Sequence, residues 1–263
     1  MHRLSRNLII SFLVWAGLVG HAAANRIYIK DLNGLLTKDD LATLRAVMAR
    51  EVDFHKQALS LYDPLFVPIK VFRTRQEYRQ YANKSGLVTR PSGGFYSPLK
   101  REIVLYKHGE YMRTLLHEAQ HLVFAAGLTR PPVWLNEALS EVYEMAEVRE
   151  EGVFTRVNLQ HQARLVEWQK AGDLPKLSSF FALSYEGWES LVMKPEPISY
   201  PLSWGVGYFL MSSGQGRQAI HDTIRYIRDT DWRYQGVIYP GGLEALEADF
   251  HQFVRNMPAE YEL

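Results

Sequence analysis

From Glu110 onward the chain becomes mainly helical, whereas strands and helices alternate before it, and that change governs what it can fold into. Before it, Arg26 to Lys30 (Arg-Ile-Tyr-Ile-Lys) alternates at period two and Val67 to Phe72 is rich in β-branched residues, which predicts two strands. Between them Leu41, Leu44, Val47, Met48 and Val52 recur at helical spacing behind Thr37 and Asp40, an N-terminal capping pair. A shorter helix follows from about 76 to 83, ended by Gly86. Gly93 to Ser97 and Glu102 to Tyr106 read as two strands around the turn Pro98 to Arg101. Beyond Glu110 the pattern is helical, at about 110–126, 133–147, 158–171, 199–212, 215–229 and 242–256. Gly127, Pro131-Pro132, Gly172, Pro175, Pro195, Pro197, Gly214 and Gly241-Gly242 punctuate these helices. Strands first and helices afterwards, with no internal repeat, predict one α+β domain with a small N-terminal sheet part and a mainly helical remainder.

Composition narrows the chemistry. No cysteine occurs in the 263 residues, which removes disulfides, thiolate metal sites and cysteine nucleophiles, so any metal must sit on His, Asp or Glu. A formal charge of +1 gives no general pull on nucleic acid, and nucleic acid is not an expected partner. Arg3 and Arg6, the apolar run Leu8 to Gly20 and the small residues at Ala22 and Ala24 form the pattern of an export signal cleaved after Ala24. Residues 1–24 are therefore assigned to a signal peptide and 25–263 to the domain, exported to the periplasm or beyond the cell. The apolar run is shorter than the roughly 20 residues that span a bilayer, so no stable membrane insertion is expected once it is removed.

Within the first long helix stands His117-Glu118-Ala119-Gln120-His121. Residues four apart lie one turn above each other, so the two imidazoles point the same way and can grip one cation, while the Glu118 carboxylate is placed to accept a proton from an activated water. Two such histidines can also meet by chance on a helix surface, and a third ligand separates the readings. A third His after a Gly is excluded, because those positions hold Phe124 and Gly127. The alternative is a carboxylate on the next helix. Glu137 lies about 6 Å into that helix and His121 about 9 Å before the end of its own, so antiparallel packing brings them level. Glu141, one turn further, is placed to hold a ligand histidine by its second nitrogen.

His117-Glu118-x-x-His121 followed by Trp134-Leu135-Asn136-Glu137-Ala138-Leu139-Ser140-Glu141 resembles the gluzincin metallopeptidases, most closely the small exported peptidase MA-like members. Ala138 departs from the Gly usual there. The resemblance implies a zincin-like fold, one zinc ion on His117, His121 and Glu137, Glu118 as general base, Glu141 behind the ligands, and a peptide or protein substrate. It further implies that substrate pairs with a strand preceding the metal helix, here Glu102, Ile103, Val104, Leu105 and Tyr106 or the partner strand Gly94 to Ser97, and that Tyr200 donates to the oxyanion. Two other functions fit the same residues: an exported binding protein with a structural or vestigial metal site, and a zinc hydrolase of non-peptide amides. His55, His108, His161, His221 and His251 are expected to be solvated or hydrogen-bonded surface residues, and Trp134 to pack or to line the cleft.

Overall fold

The computed structural model describes residues 26–85, 93–192 and 198–263; the signal segment, Gly86, Pro195 and Pro197 lie outside them. In chain order the elements are β1 (Ile27–Asp31), α1 (Lys38–His55), β2 (Leu65–Phe72), α2 (Arg75–Lys84), β3 (Gly94–Ser97), β4 (Glu102–Tyr106), α3 (Tyr111–Gly127) and α4 (Val133–Tyr143). Then come β5 (Ala146–Arg149), β6 (Gly152–Arg156), α5 (Leu159–Ala171), α6 (Leu177–Phe181), α7 (Tyr185–Val192), α8 (Ser199–Met211), α9 (Gly214–Asp229), α10 (Gly242–Arg255) and β7 (Glu260–Glu262). The fold is mixed α+β. No helix among the described residues is long and apolar enough to cross a membrane.

Helix α1 starts where Thr37 and Asp40 exchange bonds: Asp40 N–H donates to Thr37 Oγ1 at 3.1 Å and Thr37 N–H to Asp40 Oδ2 at 2.7 Å. It crosses between β1 and β2, which run parallel, and α2 makes the second parallel crossover to β4. The sheet order is β1-β2-β4-β3, with β3 antiparallel to β4 at one edge. Ile27, Val67, Ile69, Val71, Ile103 and Leu105 form one buried face, covered by α1 and α3; α2 lies on the other. This order corrects one expectation. β4, the proposed substrate strand Glu102 to Tyr106, is paired on both sides and has no free backbone edge, so among the described strands beside α3 the one at a sheet edge is β3.

The C-terminal half departs from the reading in two respects: the short helices α6 and α7 fall between the expected 158–171 and 199–212, and one long helix ends early. The helix expected over 133–147 stops at Tyr143, and the chain then forms the antiparallel sheet β5-β6-β7, whose last strand returns from the C-terminus. A strand that far away in sequence leaves no local trace at Ala146–Arg149. Helix α8 is buried from Pro201 to Met211 and runs through the middle of the helical part against α4.

Candidate metal centre

Helix α3 carries both histidines on one face, with ring centroids 4.9 Å apart and planes at 84°. The turn Gly127 to Pro132 brings α4 back beside it, and Glu137 reaches between the rings: its Oε2 lies 3.5 Å from His117 Nε2 and its Oε1 3.9 Å from His121 Nε2. All three donor groups fall within 4.8 Å of one another. Tetrahedral zinc with bonds near 2.0–2.1 Å needs ligand atoms about 3.3 Å apart, so these residues fit the ion with small side-chain adjustments.

The second nitrogens each have a hydrogen-bond partner. Ser140 Oγ lies 2.9 Å from the Asn136 carbonyl and 3.1 Å from His121 Nδ1; with the hydroxyl proton on Asn136, Nδ1–H donates to Oγ and Nε2 keeps its lone pair. His117 Nδ1 likewise faces Glu144 Oε2 at 3.2 Å, an acceptor, and again Nε2 is left facing Glu137. Arg113 holds Glu144 in turn at 3.1 Å. The carboxylate expected to hold a ligand was Glu141, yet its Oε1 is 3.8 Å from His117 Nδ1 and its Oε2 bonds His161 Nε2 at 3.2 Å. Glu144, seven residues after Glu137 and so two turns along the same face, makes the closer contact.

The carboxylates around His117 favour positive charge on it. Burial works against a charged His117, but its hydrogen bonds to Glu137 and Glu144 and the field of Glu118 outweigh this and hold its pKa well above the ordinary value. Burial also raises Glu141, to about 7, with repulsion from Glu144 adding to it and the hydrogen bond to His161 opposing. His117, Glu141 and Glu144 form a second cluster within 4.8 Å, but it uses the nitrogen already committed to Glu144.

Glu118 sits on the flank of α3 next to β3 and is buried. The main-chain N–H of Tyr96, on β3 at the sheet edge, donates to Glu118 Oε2 at 2.7 Å. Gly94 lets that strand come so close, because a Cβ there would meet Thr114 Cγ2 and the Val104 carbonyl at 2.9 Å. One carboxylate oxygen is thereby anchored.

Tyr200 occupies the first turn of α8, its ring edge-on to Trp188 at 5.8 Å. Another phenol, Tyr185 at the start of α7, is half exposed, donates to the Pro131 carbonyl at 3.4 Å and is pushed up to about 12 by burial and then by the charge of Glu137. Its only local mark in the sequence is a tyrosine among 15. Trp134 is fully buried, its ring tilted at 51° to that of Phe181 with centroids 4.5 Å apart and its Nε1 donating to the Gln235 carbonyl at 2.7 Å, so it packs and does not line a cleft. His55 is a second correction: it is fully buried with neither ring nitrogen hydrogen-bonded among the described residues, because the stripe on α1 that holds it faces α3.

Comparison of the chain with protein-family models, with curated proteins and with solved structures finds no match in any of the three.

Proposed function

We propose that the chain is an exported zinc-dependent peptidase. The observation that carries this reading is the convergence of His117 Nε2, His121 Nε2 and the Glu137 carboxylate, with Glu118 beside them. His117, His121 and Glu137 would hold the ion, and bound zinc supplies Lewis acidity toward a carbonyl and lowers the pKa of a water. Glu144 and Ser140 keep both imidazoles in the tautomer that offers Nε2. Glu118, steadied through one oxygen by Tyr96 N–H, takes the proton of the attacking water and passes it to the leaving amine. β3, the edge strand beside Glu118, is the element that orients an extended peptide. A phenol donating to the oxyanion completes the set. Tyr200 is the candidate from the sequence, and Tyr185 is the one linked electrostatically to Glu137.

The test is Glu118→Gln, with zinc content and hydrolysis of a mixed peptide library measured on the same preparations. One zinc per chain in both proteins, with turnover lost only in the variant, is expected. Turnover retained by the variant, or no zinc in either protein, would overturn the reading.

A further inference from the structure

A cleft of about 780 Å³ opens off the Glu118 side of α3, between the starts of β1 and β2, the end of α1 and the turn joining β3 to β4. Tyr96 belongs to both places: its N–H holds Glu118 and its side chain lines the cleft. Leu122 lies one turn after Glu118 and Ala125 one turn after His121, so the α3 wall of the cleft continues the face that carries the metal ligands. The lining is mainly apolar, and Phe66 on its wall is 67% exposed although a ring of that size gains by leaving water.

The mouth has a charge of its own. Arg26, Lys56, Lys100 and Arg101 stand around it against only Asp53 and Asp63, in a chain whose total charge is +1. Lys100 is engaged with Glu102 at 3.9 Å, whereas Arg26 and Arg101 pair with no carboxylate among the described residues. The cations come from three separate elements, the start of β1, the end of α1 and the β3–β4 turn. That spread suits several acidic groups along a segment better than a single terminal carboxylate clamped at one point.

We infer that this cleft binds a peptide segment with an apolar centre flanked by Asp or Glu side chains, drawn along the β3 edge so that its next peptide bond reaches Glu118. The last step rests on the peptidase reading above; the binding itself does not. Tyr96 on β3, the edge strand, joins the cleft to Glu118, so one extended chain laid beside it reaches both.

The experiment measures fluorescence anisotropy of labelled, C-terminally amidated decapeptides on the Glu118→Gln protein, so that nothing is consumed. Three peptides share one apolar centre and differ in Glu, Ser or Lys flanks; a fourth carries Ser flanks and a free C-terminus. Expected are binding at least tenfold tighter for the Glu peptide than for the Ser peptide, the Lys peptide weakest, and a gap that narrows between 50 and 500 mM salt. Ala126→Trp, at an exposed position of the lining, should abolish binding of all of them, and the double variant R26E/R101E should erase the preference for Glu. Equal affinities, or binding that survives Ala126→Trp, overturn the inference. A preference confined to the free C-terminus reassigns the cations and overturns it too. Tight acidic binding with no hydrolysis by the wild type would refute the peptidase reading alone.

Discussion

Gly207 connects the packing of the helical part to the geometry of the centre. It lies in α8 where that helix meets α4, and a Cβ added there would stand 2.2 Å from the Ala138 carbonyl oxygen, 2.8 Å from its carbon and 3.1 Å from Val142 Cγ2. Close C···O contacts in proteins are about 3.3 Å, so Gly207→Ala must separate the two helices by roughly 1 Å. Backbone is the obstacle, and no side chain can rotate away. Overpacking of this kind costs about 1–3 kcal/mol, offset by about 0.5–1 kcal/mol because alanine restricts the unfolded chain and favours helix. The net loss of roughly 1–2 kcal/mol corresponds to a fall in Tm of about 2–4 °C for a domain of this size. The effect at the centre is larger in proportion. Ala138 adjoins Glu137, and a metal site tolerates errors of only about 0.2 Å in ligand distance, so zinc affinity should drop about 10- to 100-fold, as when a supporting contact is removed. The control is Gly205→Ala, whose Cβ would meet Leu165 Cδ1 at 2.4 Å and Phe250 Cζ at 3.4 Å, side-chain ends that can move and that lie away from α4. It should lower Tm while leaving zinc affinity within about threefold, a change worth only about 0.65 kcal/mol. Chelator competition and thermal melts measure both. Wild-type affinity in Gly207→Ala, or an equal loss in Gly205→Ala, would refute the claim that this contact sets the position of Glu137.

The remaining predictions concern single groups. Glu144→Gln and Ser140→Ala each remove a partner of a ligand imidazole and should weaken zinc binding about 10- to 100-fold by the same chelator competition, and Glu141→Gln should weaken it less. The opposite ranking of Glu141 and Glu144 would restore the assignment made from the sequence. Of the two phenols Tyr200 and Tyr185, the one that donates to the oxyanion should lower kcat about 100-fold with KM little changed when replaced by Phe, and the other should alter both less than about threefold; small effects from both would remove the oxyanion donor from the reading. For stability against pH, burial and then the neighbouring His221 hold His55 well below the ordinary 6.5. The unfolded chain therefore takes the proton first, and the folded state keeps this contribution above pH 6.5 and loses it as the pH falls, at about 1.4 kcal/mol per unit. Urea unfolding between pH 7.5 and 5 should show a shallower decline for His55→Leu than for wild type. Parallel declines would mean that His55 is protonated in the folded protein.

What the sequence determined by itself was whatever depends on neighbours in the chain. Thr37 and Asp40 cap α1 because a capping box spans three residues, and His117 and His121 share a face because the helical period puts them there. Glu137 could be reached as well, since a short turn between two helices leaves little freedom in how they meet. Tertiary structure alone decided everything set by distant partners. The interior position of Glu102 to Tyr106 follows from pairing with Leu65–Phe72, more than thirty residues earlier, and the strand at Ala146–Arg149 exists because the C-terminus returns to build its sheet. Glu144 takes the place expected of Glu141 because the orientation of one imidazole ring, and the acid at 3.2 Å from it, is fixed by how two helices pack. Local rules fix which face a side chain occupies; which atom on that face comes within hydrogen-bond reach is fixed by packing, whose contacts are non-local.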